Sequence, residues 1–480
     1  MPSLTARVAK FKYQGLERGG KTYSLSRLAM QLRGNANFAS QSPPIWVGGE
    51  LFFVSRKDLS QGRFSLRGQG LELRIEAADL FVHHQDFAKQ SLQQGDCIVL
   101  EVLDLHEVSR ALDTAGQVCQ VGRLRQLSPN MAFGSGVEAG SIPSPQRWAR
   151  LMLWNSFCAQ VGALLESRGL VQVATPSLVV CPGFEPSLVP FGTQFLLEGA
   201  QPQEAKELYL PTSPEIHLKK LLCQGWTDIF EIRSCFRNAE LTEQHEPEFT
   251  MLEWYRAYAD LELIVEDLTA ILHQLQASNM IVGLGPKDQP LAVQRVSVAE
   301  LFRDYAQMDL KPTTTLDEMR QKALDLGVIS CGAGSQELSW DDIFHLIFLS
   351  QIEPKLGLSE PTLVTDYPPS QAALSRINSS GWAQRYEFYW RGFEIANGFD
   401  ELNDPLEQRL RAQRDIQERL RLGRGLLPMD EEFFQALEGG MPPAGGIALG
   451  LERLFMACQR IANIGEIKLF SYQKLSQRPD

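Results

Sequence analysis

Two strand-like runs, at 230–236 and 248–255, contain or precede residues whose types and spacing are typical of a binding or catalytic site. Arg237 ends the first run, and a guanidinium there can bind a phosphate through two parallel hydrogen bonds. Glu253 and Tyr255 lie two residues apart on the second run and therefore face the same side. A carboxylate and a phenol on one face can hold an ammonium group. Taken alone, these side chains are more typical of ordinary surface charges.

A second set of candidate residues lies near the C-terminus. Glu394 and Glu401 are seven residues apart, with an Asn-Gly pair between them. Two carboxylates that converge on a nucleotide commonly hold Mg²⁺, which keeps waters and phosphates as its other ligands. The small residues of 445–450 leave backbone open to a flat ligand and precede a predicted helix that begins near Arg453. A glycine-rich turn before a helix is by itself also typical of close packing.

Helices and strands must position these residues. Apolar residues at helical spacing predict a helix from Arg147 that ends at Gly169. The run 171–180 that follows has the composition of a strand. Pro176 removes a backbone donor from this run, which favours an edge or interface position.

The first 126 residues have a different pattern. Strand-like runs separated by turn signals occur at 45–55, 63–68, 71–77 and 97–108. With one helical stretch at 77–93, they predict a small β-barrel of the OB type over 1–126. Residues 127–146 are rich in Ser, Gly and Pro, which predicts a linker, and a second domain then spans 147–480.

Length and composition limit the class of protein. With 480 residues, 44% hydrophobic and 22% charged, the chain is expected to form two or more soluble globular domains. No apolar run is long enough to cross a membrane, and the N-terminus lacks the apolar core of a secretory signal. The eight cysteines form no C-x-x-C pair, which fits buried thiols in a reducing cytoplasm. A net charge of −12 argues against a general polyanion binder, although residues 1–140 carry +3.

Taken in order, these segments resemble the catalytic domain of the class II aminoacyl-tRNA synthetases, in the lysine subgroup. Residues 168–178 resemble the first motif of the family, 236–255 the second and 445–454 the third. Residues 394–404 resemble the segment before the third motif in lysine enzymes. The resemblance covers about residues 147–470. It implies an α+β domain with an antiparallel sheet flanked by helices, use of ATP and Mg²⁺, and a homodimer formed through the first motif.

Within this subgroup, details resemble the paralogous ligases that attach a lysine, notably (R)-β-lysine, to elongation factor P. These details are the short catalytic part and the segments 212–222, 248–256 and 367–377. Ala448 stands where lysine-tRNA synthetases usually have Gly, and the added methyl group favours a different lysine isomer. The implied reaction is formation of a lysine adenylate and transfer to a lysine side chain of elongation factor P. Ligation of lysine to tRNA is the alternative, and a catalytically inactive RNA- or protein-binding relative is a third.

The resemblance also implies roles for individual residues. It assigns ATP binding to Arg237, Asn238, Glu240, Glu246, Glu394, Ile395, Gly450 and Arg453. It assigns the amino-acid substrate to Ser213, Pro214, Glu215, Glu253, Tyr255, Glu401 and Ala448. Arg237 and Arg453 are the expected catalytic residues, on the α- and γ-phosphate sides. Glu394 and Glu401 are the expected Mg²⁺ ligands.

Three features depart from the family's usual pattern. Glu normally follows Arg-Asn in the second motif, where it meets adenine, and this chain has Ala239 followed by Glu240. Glu246 stands near the nucleotide where Asn is usual. The ligases normally lack an N-terminal anticodon-binding domain, whereas some 140 residues precede the first motif here. The first two departures concern nucleotide binding, and the third concerns the acceptor.

Overall fold

The computed structural model describes residues 145–473 except 286–287 and 331–336, together with the backbone of seven earlier strands. The chain divides into two compact units, residues 1–152 and 153–480. No helix in the described part is long and apolar enough to cross a membrane.

The described strands of the first unit pair into one sheet in the order β6-β4-β3-β2-β5-β7, with β1 beside β2. Their bounds are β1 Lys21–Ser24, β2 Ile45–Phe52, β3 Arg63–Gly68, β4 Leu71–Glu76, β5 Cys97–Val102, β6 Val118–Cys119 and β7 Arg123–Gln126. The four predicted strands are confirmed, with shorter bounds for three of them. The predicted helix at 77–93 lies outside the described residues, as does nearly all of the predicted linker.

Nine α-helices belong to the described region from residue 145 onward. They are α1 Pro145–Ser167, α2 Glu215–Cys223, α3 Leu261–Ala277, α4 Val298–Ala306, α5 Leu316–Asp325, α6 Trp340–Ile347, α7 Pro405–Arg421, α8 Glu431–Glu438 and α9 Leu451–Gln459. The predicted first helix is confirmed. It ends just before Gly169, whose φ of +87° suits glycine after a helix.

The strands of this region are mostly those of one large sheet. Their bounds are β8 Val171–Gln172, β9 Gly192–Phe195, β10 Lys206–Tyr209, β11 Asp228–Phe236, β12 Glu248–Ala257, β13 Gln294–Ser297, β14 Thr362–Tyr367, β15 Ala383–Trp390, β16 Phe393–Asp400 and β17 Ala444–Gly450. Eight of them pair in the order β13-β14-β15-β16-β17-β12-β11-β8. The six inner strands are antiparallel, as predicted, but both edge strands pair in parallel.

The predicted strand at 171–180 is much shorter than expected, because only Val171–Gln172 pairs with β11. Pro176 has no N–H to donate. The N–H of Thr175 donates instead to the Glu231 carboxylate at 2.9 Å. Thr175 and Pro176 therefore do not extend the backbone pairing with β11.

The two faces of β12 explain where the site lies. Leu252 and Trp254 point into a hydrophobic core with α1, α3 and α9. Met251, Glu253 and Tyr255 alternate with them and line a cavity on the opposite face. The period of two that defines a strand thus gives this sheet one core face and one functional face.

Candidate active site

The functional face of the sheet lines a cavity of about 490 Å³. Thirteen of the fifteen predicted site residues line it: Arg237, Glu240, Glu246, Glu394, Ile395, Gly450, Arg453, Ser213, Glu215, Glu253, Tyr255, Glu401 and Ala448. Pro214 and Asn238 do not. Pro214 caps the N-terminus of α2, and the Asn238 side chain accepts the N–H of Ala239 at 2.8 Å.

One end of the cavity is built around Glu253. The phenol of Tyr255 donates to Glu253 Oε1 at 2.6 Å, and Ser213 Oγ donates to Oε2 at 3.3 Å. The alternation predicted for Glu253 and Tyr255 is therefore confirmed. Burial, and next the neighbouring carboxylate of Glu215, raise the pKa of Glu253 well above its usual range.

Glycine at position 446 makes room for this arrangement. Gly446 lies on β17 between Tyr255 on one neighbouring strand and Phe399 on the other. A Cβ at this position would collide with Glu401 Oε1 and with the Tyr255 ring. The close approach of backbone and side chains here therefore requires glycine.

Lys219 is a component of this end that the sequence analysis missed. It lies one helical turn after Glu215, donates a hydrogen bond to Glu215 Oε1 at 2.6 Å, and forms an ion pair with Glu401 Oε2 at 2.7 Å. Burial opposes the charged form of Lys219, but Glu215 and Glu401 outweigh it and raise its pKa. The spacing of four residues between Glu215 and Lys219 on a predicted helix was the available signal.

The other end of the cavity carries two guanidinium groups. Arg237, at the end of β11, lies over the Phe249 ring at 5.0 Å. Arg453, in the first turn of α9, donates to the Glu394 carbonyl oxygen at 2.9 Å, and its Nη2 contacts His245 Nε2. Burial, and then Arg453, lower the pKa of His245 to about 4, so its imidazole is neutral at pH 7. Two cations and a neutral ring make this end suitable for phosphates.

Glu394 and Glu401, the two expected Mg²⁺ ligands, lie at opposite ends of one strand and would have to bind separate ions. Glu394 lies near the start of β16 and Glu401 just after its end, so about 3.3 Å of rise per residue separates them by roughly 20 Å. Two groups that far apart cannot bind one ion. Both carboxylates line the cavity, and the Asn-Gly pair between them lies within an extended strand.

Glu387 on β15 is the acidic neighbour of Glu394 instead. It accepts the phenols of Tyr367 and Tyr389, each at 2.6 Å. Burial raises the pKa of Glu394, and Glu387 is the next largest cause. A β-bulge interrupts the register between β15 and β16 at this point, which re-aims side chains locally. No pattern in the sequence pointed to Glu387.

The described residues contain no group of three or more His, Cys, Asp or Glu side chains that could hold a metal ion. Mg²⁺ is usually held by one or two carboxylates and by substrate phosphates rather than by a complete protein cage. Glu394 lines the cavity beside Arg453 and fits a metal site of that shared kind, whereas Glu387 is buried against Arg385, Tyr367 and Tyr389.

An acidic rim adjoins the cavity between the loop 182–188 and α7. Glu185 and Asp415 line it. Burial, followed by Glu185, raises the pKa of Asp415 to about 7. Arg419, one turn after Asp415, donates to the carbonyl oxygens of Glu185 and Leu188 at 3.2 and 2.7 Å and so fixes the loop.

Comparison with known proteins agrees with this architecture. Residues 142–474 match the family described as tRNA synthetases class II (D, K and N). The match covers more than half of the chain, which therefore belongs to this family.

Three similar proteins share one name, elongation factor P–(R)-β-lysine ligase. The protein from Proteus mirabilis is 35% identical over 327 residues, which are 67% of this chain and 94% of the relative. Those from Edwardsiella ictaluri and Pectobacterium atrosepticum are 35% and 34% identical, over 68% of this chain and 96% of each relative. The family resemblance predicted from the motifs is confirmed.

Proposed function

We propose that this protein is an ATP-dependent ligase that activates (R)-β-lysine, or a close isomer, as its adenylate and transfers it to a lysine side chain of elongation factor P. The observation that carries the proposal is the single cavity with an acidic end and a guanidinium end. The relatives' names support both the amino acid and the acceptor.

The acidic end suits a diamino acid. Glu215, Glu253 and Glu401 line it, and Lys219 pairs with Glu215 and Glu401. Their carboxyl oxygens can accept hydrogen bonds from the two ammonium groups of a lysine isomer. Ser213 and Ala448 line the same end, and the methyl group of Ala448 restricts the shape of the substrate.

The guanidinium end suits ATP. A carboxylate oxygen of the amino acid attacks the α-phosphorus, the bond to the β-phosphate oxygen breaks, and pyrophosphate leaves. Arg237 and Arg453 bind the phosphates and stabilise the charge that develops in the transition state. Glu394 would help to hold Mg²⁺, which neutralises phosphate charge when bound.

The acidic rim supports an amine acceptor. Glu185 and Asp415 line the cavity and could bind an incoming ammonium group, and residues 141–480 carry a net charge of −15. The free amine then attacks the adenylate carbonyl, AMP leaves, and the amine gives up a proton as the amide forms. Opposite charge also favours docking of a basic protein patch.

Lysine-tRNA ligation is the second candidate, and the first unit of the chain is the observation that favours it. The similar ligases align with only 67–68% of this chain. The remainder includes the seven-stranded sheet of β1–β7, in residues 1–140, which carry a net charge of +3. We propose that this unit is OB-like, a fold that binds RNA by stacking and backbone contacts.

Two assays test the proposal. ATP–pyrophosphate exchange with a panel of α- and β-lysine isomers is expected to be fastest with (R)-β-lysine. Radiolabelled amino acid should then appear on elongation factor P and not on lysine tRNA. Charging of tRNA alone would favour the second candidate, and absence of exchange with every isomer would leave only a binding role.

We also propose a homodimer through the first motif. Val171, Leu178 and Val180 in this segment are large apolar residues that are exposed in the single chain. Such a patch on a sheet edge is suited to burial against a second copy. Light scattering of the wild type and of a Val180→Asp variant would test this, since the variant should have half the mass of the wild type.

A further inference from the structure

Lys219 is a buried cation that does not line the cavity, so direct contact with substrate does not explain it. Only 1% of its surface is exposed. A buried ammonium group is costly unless its partners compensate for the lost hydration. Its Nζ lies 2.6 Å from Glu215 Oε1 and 2.7 Å from Glu401 Oε2, so it joins a carboxylate from α2 to one at the end of β16.

Glu401 supplies a second observation. It lines the cavity, its exposure is 1%, and its Oε2 accepts no hydrogen bond from any residue that the structure describes. The contact with Lys219 is therefore an ion pair without the alignment of a hydrogen bond. Buried polar atoms are normally satisfied, so this oxygen points to a ligand that brings an N–H donor.

The charges around Glu401 are otherwise acidic. Glu215 approaches from α2, Glu253 from β12, and Asp400 precedes it on β16. A cation among carboxylates favours their charged forms. Burial raises the pKa of Glu401 to about 8, and Lys219 is the largest influence in the opposite direction.

We propose that Lys219 is a positioning residue whose positive charge holds the carboxylates of Glu215 and Glu401 in place, so that the site selects amino acids with two ammonium groups. This inference rests on the proposed function and refines its amino-acid end. It assigns a role to a residue that contacts neither ATP nor substrate.

Calorimetric binding of lysine isomers, without ATP, tests the inference in the full chain. The wild type should bind a lysine isomer at least tenfold more tightly than norleucine, which lacks the side-chain ammonium group. In Lys219→Met, affinity for the lysine isomer should fall by about tenfold to a hundredfold, as expected for loss of charged hydrogen bonds. The pH at which binding is half-maximal should rise by about one unit or more, because Glu401 then holds a proton more firmly.

Lys220→Met is the matched control. Lys220 is the next residue of α2 and also pairs with carboxylates, Asp430 at 2.7 Å and Glu432 at 3.5 Å, but away from the cavity. Its variant should keep the affinity and the pH profile of the wild type. Equal effects of the two variants would show a general role in α2 and overturn the inference, as would unchanged binding by Lys219→Met.

A second variant covers the case in which Lys219→Met does not fold. Glu215→Gln combined with Lys219→Met removes one of the two carboxylates that lose their cation, so this protein should fold, yet bind lysine more weakly than Glu215→Gln alone because Glu401 has lost its cation. Wild-type affinity in this double variant would overturn the inference. Failure of the proposed function looks different: the wild type would bind norleucine as well as lysine, or would bind lysine isomers without activating them.

Discussion

The two ends of the cavity differ in how deeply their charged side chains are buried and how closely these side chains pair with one another. At the amino-acid end, the side chains of Lys219 and Glu401 are each 1% exposed and are paired with each other. At the nucleotide end, the side chains of Arg453 and Glu394 are 25% and 39% exposed and lie 3.7 Å apart. Buried atoms without a hydrogen-bond partner in the described part of the chain occur at both ends: Glu401 Oε2 at the first, and Arg237 Nε and Glu246 Oε2 at the second.

This difference indicates that the two ends have different functions. Ion pairs fix the amino-acid end before substrate binds, so its shape and charge can discriminate among similar small molecules. The nucleotide end keeps donors and acceptors for a ligand that brings its own charges and metal. Specificity among amino acids should therefore be sensitive to small changes at the amino-acid end. The rate of adenylate formation should be sensitive to loss of charge at the nucleotide end.

The largest expected effect is at the nucleotide end. Arg237→Ala should lower the rate of ATP–pyrophosphate exchange by about a hundredfold to a thousandfold, because it removes a donor that stabilises transition-state charge. Steady-state exchange kinetics measure this, with circular dichroism to verify the fold. Arg303→Ala is a suitable control, since Arg303 is exposed and pairs only with Asp304. An exchange rate within twofold of wild type would remove Arg237 from the site.

The sequence predicted the segments of the site better than their arrangement. Motif residues on β11, β12 and β17 could be placed because a strand repeats every two residues and the family order is distinctive. The position of Glu394 relative to Glu401 depended on whether the chain between them turned or extended, and the Asn-Gly pair is compatible with both. Glu387 and Lys219 reach the site through strand pairing and helix packing, which are non-local and leave little trace in one sequence.

A smaller effect is expected from filling the glycine position at the amino-acid end. The Cβ of Gly446→Ala would collide with Glu401 and Tyr255, and overpacking of this kind costs about 1–3 kcal/mol. The KM for the amino acid should rise by about tenfold or more, while the KM for ATP stays the same. In Gly425→Ala the new Cβ meets no atom within 4 Å, so neither KM should change. A parallel rise of both constants in Gly446→Ala would contradict the independence of the two ends.

The preference between α- and β-lysine should depend less strongly on the methyl group at position 448. Ala448 pairs with Glu253 on one side and with Asn397 on the other. Ala448→Gly should shift the ratio of kcat/KM between α- and β-lysine by about tenfold toward α-lysine, since one methyl group contributes roughly 1–3 kcal/mol to discrimination. Exchange assays with both isomers measure the ratio. If it does not change, the methyl group does not contact the amino acid.

The smallest expected effect concerns the acidic rim, which belongs to neither end. The pKa of Asp415 is raised from 3.8 to about 7, so the folded protein holds a proton that the unfolded chain has lost between these values. Because the folded state binds more protons than the unfolded state in this pH range, the contribution of Asp415 to the free energy of unfolding falls as the pH rises from 3.8 to about 7. Above this range the contribution is constant. Asp415→Asn cannot titrate, so its melting temperature should gain about 2 °C relative to wild type between pH 4.5 and pH 7.5.

Calorimetric scans at several pH values measure the difference, and Asp304→Asn, at an exposed position far along the chain, serves as control. A constant difference across the pH range would mean that Asp415 titrates like an ordinary surface carboxylate.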